Sequence, residues 1–251
     1  MKLKVYSLLS VSAEQVASIL PDAEVVAPIA RGDLGRDIAE GVGVVAIIDG
    51  VFYQALAVSP AEIIDALRAG LRVHGSSSMG ALRAAELESY GMVGHGRIFE
   101  RIRDAGSFRD DYLAQTFDED HRARAPAYVD LSMTMERFVE QGRLDSADAS
   151  HVLATFASIH FTERDAPTLV GRLREPSDCS DAVLVAAKDA FGAPSQKTAD
   201  GLAMLRGLKE ELARIARIDH EITQVLERSV VDIVAKPLPP PEGSGGSTES
   251  S

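Results

Sequence analysis

Ser59-Pro60-Ala61-Glu62-Ile63-Ile64-Asp65-Ala66-Leu67-Arg68-Ala69-Gly70-Leu71-Arg72-Val73-His74-Gly75-Ser76-Ser77-Ser78-Met79-Gly80-Ala81-Leu82-Arg83-Ala84-Ala85-Glu86-Leu87 holds a helix, a strand and a second helix with almost no connecting chain. Ser59 can cap the first helix, Pro60 suits its first turn, and Glu62, third after the cap, completes a capping-box pattern. That helix runs to about Ala69 and stops at Gly70, the glycine that often follows a helix C-terminus. Residues 71–74 then read as a strand, and a strong helix-forming run follows the serines. Working outward, the runs 4–9, 25–29 and 44–48 are rich in Val, Ile and Leu and read as three more strands. Residues 12–20 open on a serine cap and read as a helix. Strand and helix alternating over short links imply an α/β domain, its N-terminal parallel sheet flanked by helices in a Rossmann-like or flavodoxin-like arrangement. In such sheets ligands gather at the carboxyl ends of the strands.

From about residue 96 the strand signal vanishes. Segments 97–104, 110–117, 129–141, 146–159, 166–173, 181–191 and 197–236 read as helices, giving an all-helical C-terminal half. In the last, Leu205, Leu208, Leu212, Ile215, Ile222 and Leu226 form a heptad-like seam on which Asp219 also falls. Such a helix packs on its own core, or pairs with a partner or a second copy in a homo-oligomer. Residues 237–251 have little to bury and are expected to be a disordered tail. The expected organisation is a core domain over 1–120, a helical domain over 121–236 and the tail over 237–251.

The 251 residues are 45% hydrophobic and 25% charged, enough to bury a core without disulfides or a structural metal. A net charge of −12, spread along the chain, argues against a nucleic-acid-binding surface. The single cysteine, Cys179, excludes a disulfide framework and every CxxC motif, and nothing beside it would activate a thiolate. The histidines lack zinc-ligand spacing, so no metal is expected, nor any other cofactor. Lys2 and Lys4 before an apolar run imitate a signal peptide, but Ser7, Ser10 and Glu14 interrupt it and a first strand fits better. No run approaches the roughly 20 apolar residues of a membrane span, so a soluble, cytoplasmic protein is expected.

Gly41-Val42-Gly43-Val44-Val45-Ala46 matches the GxGxxG/A letters, but its glycines precede a strand instead of following one, so no helix N-terminus would meet the phosphate. Gly91, Gly94 and Gly96 read as a flexible turn. The turn Gly75-Ser76-Ser77-Ser78-Met79-Gly80 is more informative. Its serines sit where a helix begins, among unpaired amides and the positive end of the dipole, a place for an anion or a developing oxyanion. The plain alternative is that one serine is an N-cap. Arg83 and Glu86, three apart on one helix face, are either a surface ion pair or a half-buried pair poised over the site. Asp49, Phe52 and Gln54 follow the third strand and should line the same rim. Asp110-Asp111 could bind a cation or a basic partner, or simply start a helix.

These residues resemble the TfuA-like proteins. The resemblance rests on Phe52-Tyr53-Gln54 with Ala57, Val58, Pro60, Glu62 and Ile63, and on Gly70, Val73 and Gly75. It rests most specifically on Ser77-Ser78-Met79-Gly80-Ala81-Leu82-Arg83-Ala84-Ala85-Glu86-Leu87, and continues through Gly91-Met92, Gly94, Gly96 and Asp110-Asp111, covering about residues 43–120. It implies a partner of YcaO-type enzymes, which use ATP to activate a peptide amide for replacement of its oxygen by sulfur. It further implies hydrolysis of the thiocarboxylated C-terminus of a ubiquitin-like, ThiS-type sulfur carrier protein to supply that sulfur. On this reading Ser77 and Ser78 act as nucleophile or oxyanion donor, and Arg83 binds the carrier's terminal anion. Glu86 orients Arg83 or serves as base, while Asp49, Phe52, Gln54, Gly75, Ser76, Met79 and Gly80 shape the substrate site. Two alternatives stand beside it: a non-catalytic module that docks on YcaO, and a serine hydrolase of a small ester or thioester.

Overall fold

Runs of Val, Ile and Leu between capped helices assemble the sheet that the sequence predicts. The computed structural model describes residues 2–51, 56–106, 109–117, 123–175 and 179–234, with side chains to residue 224. Five strands, β1 (Lys2–Tyr6), β2 (Glu24–Val26), β3 (Val42–Ile47), β4 (Arg72–Ser76) and β5 (Val93–His95), lie in the order β2-β1-β3-β4-β5. Every pair is parallel. This is the flavodoxin-like order, which reverses direction between β1 and β3. The register sets Val5 beside Ala46 and Val25, and Gly75 between Ile47 and Gly94. Helices α1 (Ala13–Ile19), α2 (Asp33–Ala39), α3 (Pro60–Arg68) and α4 (Met79–Leu87) connect successive strands, and α5 (Arg97–Ala105) follows the last. Ile47, Ile63, Val73, Met79, Leu82 and Ile98 belong to one buried core.

Three local departures from the sequence reading have physical causes. Ser59 caps α3 by accepting the Glu62 amide, but the Glu62 carboxylate does not close a capping box. It accepts the amides of Gly32 and Leu34 instead, capping α2, whose own N-cap is a glycine. A helix capped from elsewhere carries no cap in its own sequence, so α2 is not predicted. The Gly91–Gly96 region is not a free turn: it contains β5, and a Cβ on Gly94 would overlap the Phe99 ring. Glycine in this strand admits the aromatic side chain. Residues 110–117 are not a helix, only a 3-10 turn at Asp110–Tyr112 followed by a bridge from Phe117 to Ala123. The Leu113 carbonyl, which a helix would occupy internally, accepts from Lys197 Nζ at 2.6 Å.

The helical half appears where expected, as α6 (Tyr128–Glu140), α7 (Ser146–Ser158), α8 (Ala166–Leu173), α9 (Asp181–Asp189) and α10 (Gln196–Val234). Leu131, Met135, Phe156, Leu169 and Val183 form a second core. The chain divides into units 1–207 and 208–251. In the second unit the seam loses cover along α10: Leu212 and Ile215 are half-buried and Ile222 is 53% exposed. The Leu226 side chain and the predicted tail lie outside what is described. Among the described residues, no helix is long and apolar enough to cross a membrane.

Candidate functional site

β4 ends at Ser76 and the chain enters α4 through Ser77 and Ser78. Ser77 has φ +66°, a left-handed conformation that costs an L-residue about 1–2 kcal/mol. Two glycines make the turn this tight. A Cβ on Gly80 would overlap the Ile47 carbonyl oxygen and stand 3.2 Å from Gly75 Cα; one on Gly75 would overlap the Gly80 oxygen and stand 2.6 Å from Met92 Cε. Only glycine allows β3, β4 and α4 to approach so closely. The amides of Ser78 and Gly80 lie 3.3 and 3.5 Å from the Ile48 oxygen. Those of Met79 and Ala81 donate no hydrogen bond among the described residues, so the first turn of α4 retains donors as well as its positive dipole end.

The three hydroxyls diverge. Ser76 Oγ donates to the His95 carbonyl at 3.0 Å and Ser77 Oγ to the Lys197 carbonyl at 2.7 Å, and both residues are fully buried. Ser78 is 6% exposed, gives α4 no side-chain cap and makes no Oγ hydrogen bond among the described residues. Ser78 is therefore the one of the three whose hydroxyl has no partner among the described residues.

The first turn of α10 seals the other side. Asp130 fixes it by accepting the amides of Gln196 and Lys197 at 2.7 and 3.1 Å and the Ser195 hydroxyl at 3.1 Å. Thr198 Oγ1 donates to the Ser10 carbonyl, and a Cβ on Gly201 would stand 2.9 Å from Ser77 Oγ. The Lys197 ammonium, buried, donates to Leu113 O and Gln115 Oε1. Burial pushes its pKa down, opposed by Asp130 and Asp49. Asp200 accepts the Ile98 amide at the start of α5 and the Gln196 side chain, and burial pushes its carboxyl pKa up. Sequence reasoning missed Asp130, Lys197, Thr198 and Asp200, because they reach the turn from distant segments. The only available hint was a polar cluster opening a long helix.

Asp49, 2% exposed at the end of β3, accepts the amides of Leu9 and Ser10 at 2.9 and 2.8 Å and the Ser10 hydroxyl at 2.5 Å. It thereby ties the segment after β1 to the segment after β3, at the switch point where ligands of this topology gather. Phe52 and Gln54 lie outside the described residues. Met79 is a core residue, 1% exposed, seated over Gly50, where a Cβ would stand 2.6 Å from Met79 Cγ. Arg83 and Glu86 pair at 2.6 Å, with Arg83 Nε donating to the Val58 carbonyl at 3.1 Å. The Arg83 side chain is 13% exposed and that of Glu86 39%, so the pair is half-buried and tethered to the segment preceding α3. Asp111 is held by Arg109 through two bonds of 2.9 Å. No group of three or more His, Cys, Asp or Glu among the described residues is placed to hold a metal. Burial pushes the Cys179 thiol pKa up, the opposite of activation.

No curated protein matches the chain. Residues 49–165 match a family model described as TfuA-like protein, a span that contains the serine turn, all of α4 and the Asp110-Asp111 pair. Across that span, from Asp49 just after β3 to Asp165 at the cap of α8, the chain is similar to the TfuA-like proteins.

Proposed function

We propose that this protein hydrolyses the thiocarboxylated C-terminus of a ThiS-type sulfur carrier protein and supplies sulfide to a YcaO-type enzyme for peptide backbone thioamidation. The TfuA-like span associates the chain with the thioamidation machinery and with a YcaO-type partner. One observation carries the finer reading: the first turn of α4 holds, among the described residues, a Ser78 hydroxyl without a partner and Met79 and Ala81 amides without an acceptor. The overall conversion is R–COS⁻ + H₂O → R–COO⁻ + HS⁻ + H⁺. An oxygen nucleophile, water or Ser78 Oγ, adds to the acyl carbon and the carbonyl electrons move to oxygen. The tetrahedral oxyanion is stabilised by helix-terminal amides, and its collapse breaks the C–S bond and releases hydrosulfide; where Ser78 is the nucleophile, water then hydrolyses the acyl-serine ester, freeing the carboxylate and restoring the hydroxyl. Ser77 contributes through the strained turn that aims its neighbour, while Arg83, held by Val58 and Glu86, takes the carrier's terminal anion.

Replacing Ser78 with alanine should lower sulfide release from thiocarboxylated carrier on the order of 10²–10³-fold. Unchanged release would remove Ser78 from the chemistry. The burial of Ser76 and Ser77 on backbone carbonyls favours a second reading, a non-catalytic module that docks on YcaO. Incubation with carrier and no YcaO separates the two, since only a hydrolase releases sulfide alone. A serine hydrolase of ordinary esters fits less well, because no histidine hydrogen-bonds Ser78 among the described residues.

A further inference from the structure

A cleft of about 510 Å³ opens between the Asp110–Tyr112 turn and the segment joining α7 to α8, within the size range of small-ligand sites. Arg164 lines it and is only 4% exposed. Its Nε donates to the Ile159 carbonyl at 3.1 Å and its Cζ lies 4.7 Å over the Phe156 ring, which fixes the guanidinium plane. Its Nη1 is buried and has no hydrogen-bond partner. No ion pair joins Arg164 to a carboxylate among the described residues. Asp111 also lines the cleft, but Arg109 holds it through two bonds of 2.9 Å and is itself stacked on Tyr112. A buried cation without an ion pair is costly, and an anion brought in beside it lowers that cost.

We propose that this cleft binds a monocarboxylate with a compact apolar body, its charge paired with the Arg164 guanidinium that lines the cleft. A hydrogen bond between a guanidinium and a carboxylate is charge-assisted and roughly twice as strong as a neutral one. Ala114, Ala157, Ile159 and Phe161 supply the apolar wall for the rest of the ligand. Asp110 and Asp111 at the same cleft disfavour a dianion such as phosphate. The site does not involve Ser78 and stands independently of the hydrolase reading.

The test is calorimetric titration of the full chain with hippurate, with hippuramide (the same body without charge) and with inorganic phosphate. Hippurate should bind saturably, with hippuramide and phosphate each at least about tenfold weaker, the scale of one charge-assisted hydrogen-bonded pair. Arg164→Met, which keeps the packing on Phe156, should bind hippurate at least about tenfold more weakly while its Tm holds or rises, because an unpaired buried charge is gone. Ser78→Ala should bind hippurate like wild type. No saturable hippurate binding, equal binding of hippuramide or phosphate, or equal binding by a folded Arg164→Met would each overturn the proposal. Should Arg164→Met fail to fold, Arg164→Gln replaces it: weakened binding supports the charge pairing, and unchanged binding refutes it.

Discussion

Substituting alanine for Gly80 tests the packing on which the serine turn depends. The added Cβ would overlap the Ile47 carbonyl oxygen and lie 2.7 Å from Ile47 C and 3.2 Å from Gly75 Cα. All three are backbone atoms in the middle of the sheet, so no side chain can swing aside. Relief requires α4 to move away from β3 and β4, and overpacking of this kind costs typically 1–3 kcal/mol, here toward the upper end. Alanine's helix preference over glycine returns up to about 1 kcal/mol, leaving a net loss of about 2 kcal/mol. At roughly 2–4 °C per kcal/mol for a chain of this size, Tm should fall by about 4–8 °C. Gly35→Ala in α2 is the control, since a Cβ there meets nothing within 4 Å. It should stabilise by about 0.5–1 kcal/mol. Both are read by urea unfolding and calorimetry. Gly80→Ala within about 0.5 kcal/mol of wild type, the range of an innocuous surface change, would refute the close approach that shapes the turn.

Ser77→Ala should destabilise by about 0.5–1.5 kcal/mol, because its buried hydrogen bond to the Lys197 carbonyl is lost, whereas Ser78→Ala should stay within about 0.5 kcal/mol. Equal urea midpoints for the two variants would contradict the divergent hydroxyls. At the other end of the sheet, hydrogen bonds from Lys4 and then Lys2 hold the Glu40 carboxyl at about 2, below its ordinary 4.5. A folded pKa below the unfolded one gives stability that is present above pH 4.5 and lost as pH falls toward 2. The acid limb of the stability curve should therefore be shallower in Glu40→Gln, and an NMR titration of wild-type Glu40 with a midpoint near 4.5 would refute the pairing.

The parts of the fold that the sequence reveals are those whose determinants are local. Ser59, Pro60 and Gly70 mark both ends of α3 within the segment itself, and the apolar runs of β1, β3 and β4 are long enough to stand out. β5 escapes because it has three residues, one of them the glycine that makes room for Phe99. α2 escapes because Glu62, about thirty residues on, provides the cap that Gly32 lacks. The strand order, which separates flavodoxin-like from Rossmann-like, depends on which edge each crossover takes, and no residue pattern within a strand encodes that.

The candidate site divides along the same line. Ser76, Ser77 and Ser78 are chemically identical in the sequence, and their position between a strand and a helix is legible from the residues around them. Their separate fates are not. Ser76 turns to β5, and Ser77 turns to a carbonyl of α10 that lies 120 residues downstream. That carbonyl is in place because Asp130 holds the first turn of α10 and Gly201 leaves space for the Ser77 hydroxyl. Ser78 Oγ has no hydrogen-bond partner among the described residues, on α10 or elsewhere. Which serine hydroxyl is taken up by backbone therefore depends in part on a helix outside the TfuA-like span, so residues beyond 165 help to shape the turn that the proposed chemistry needs.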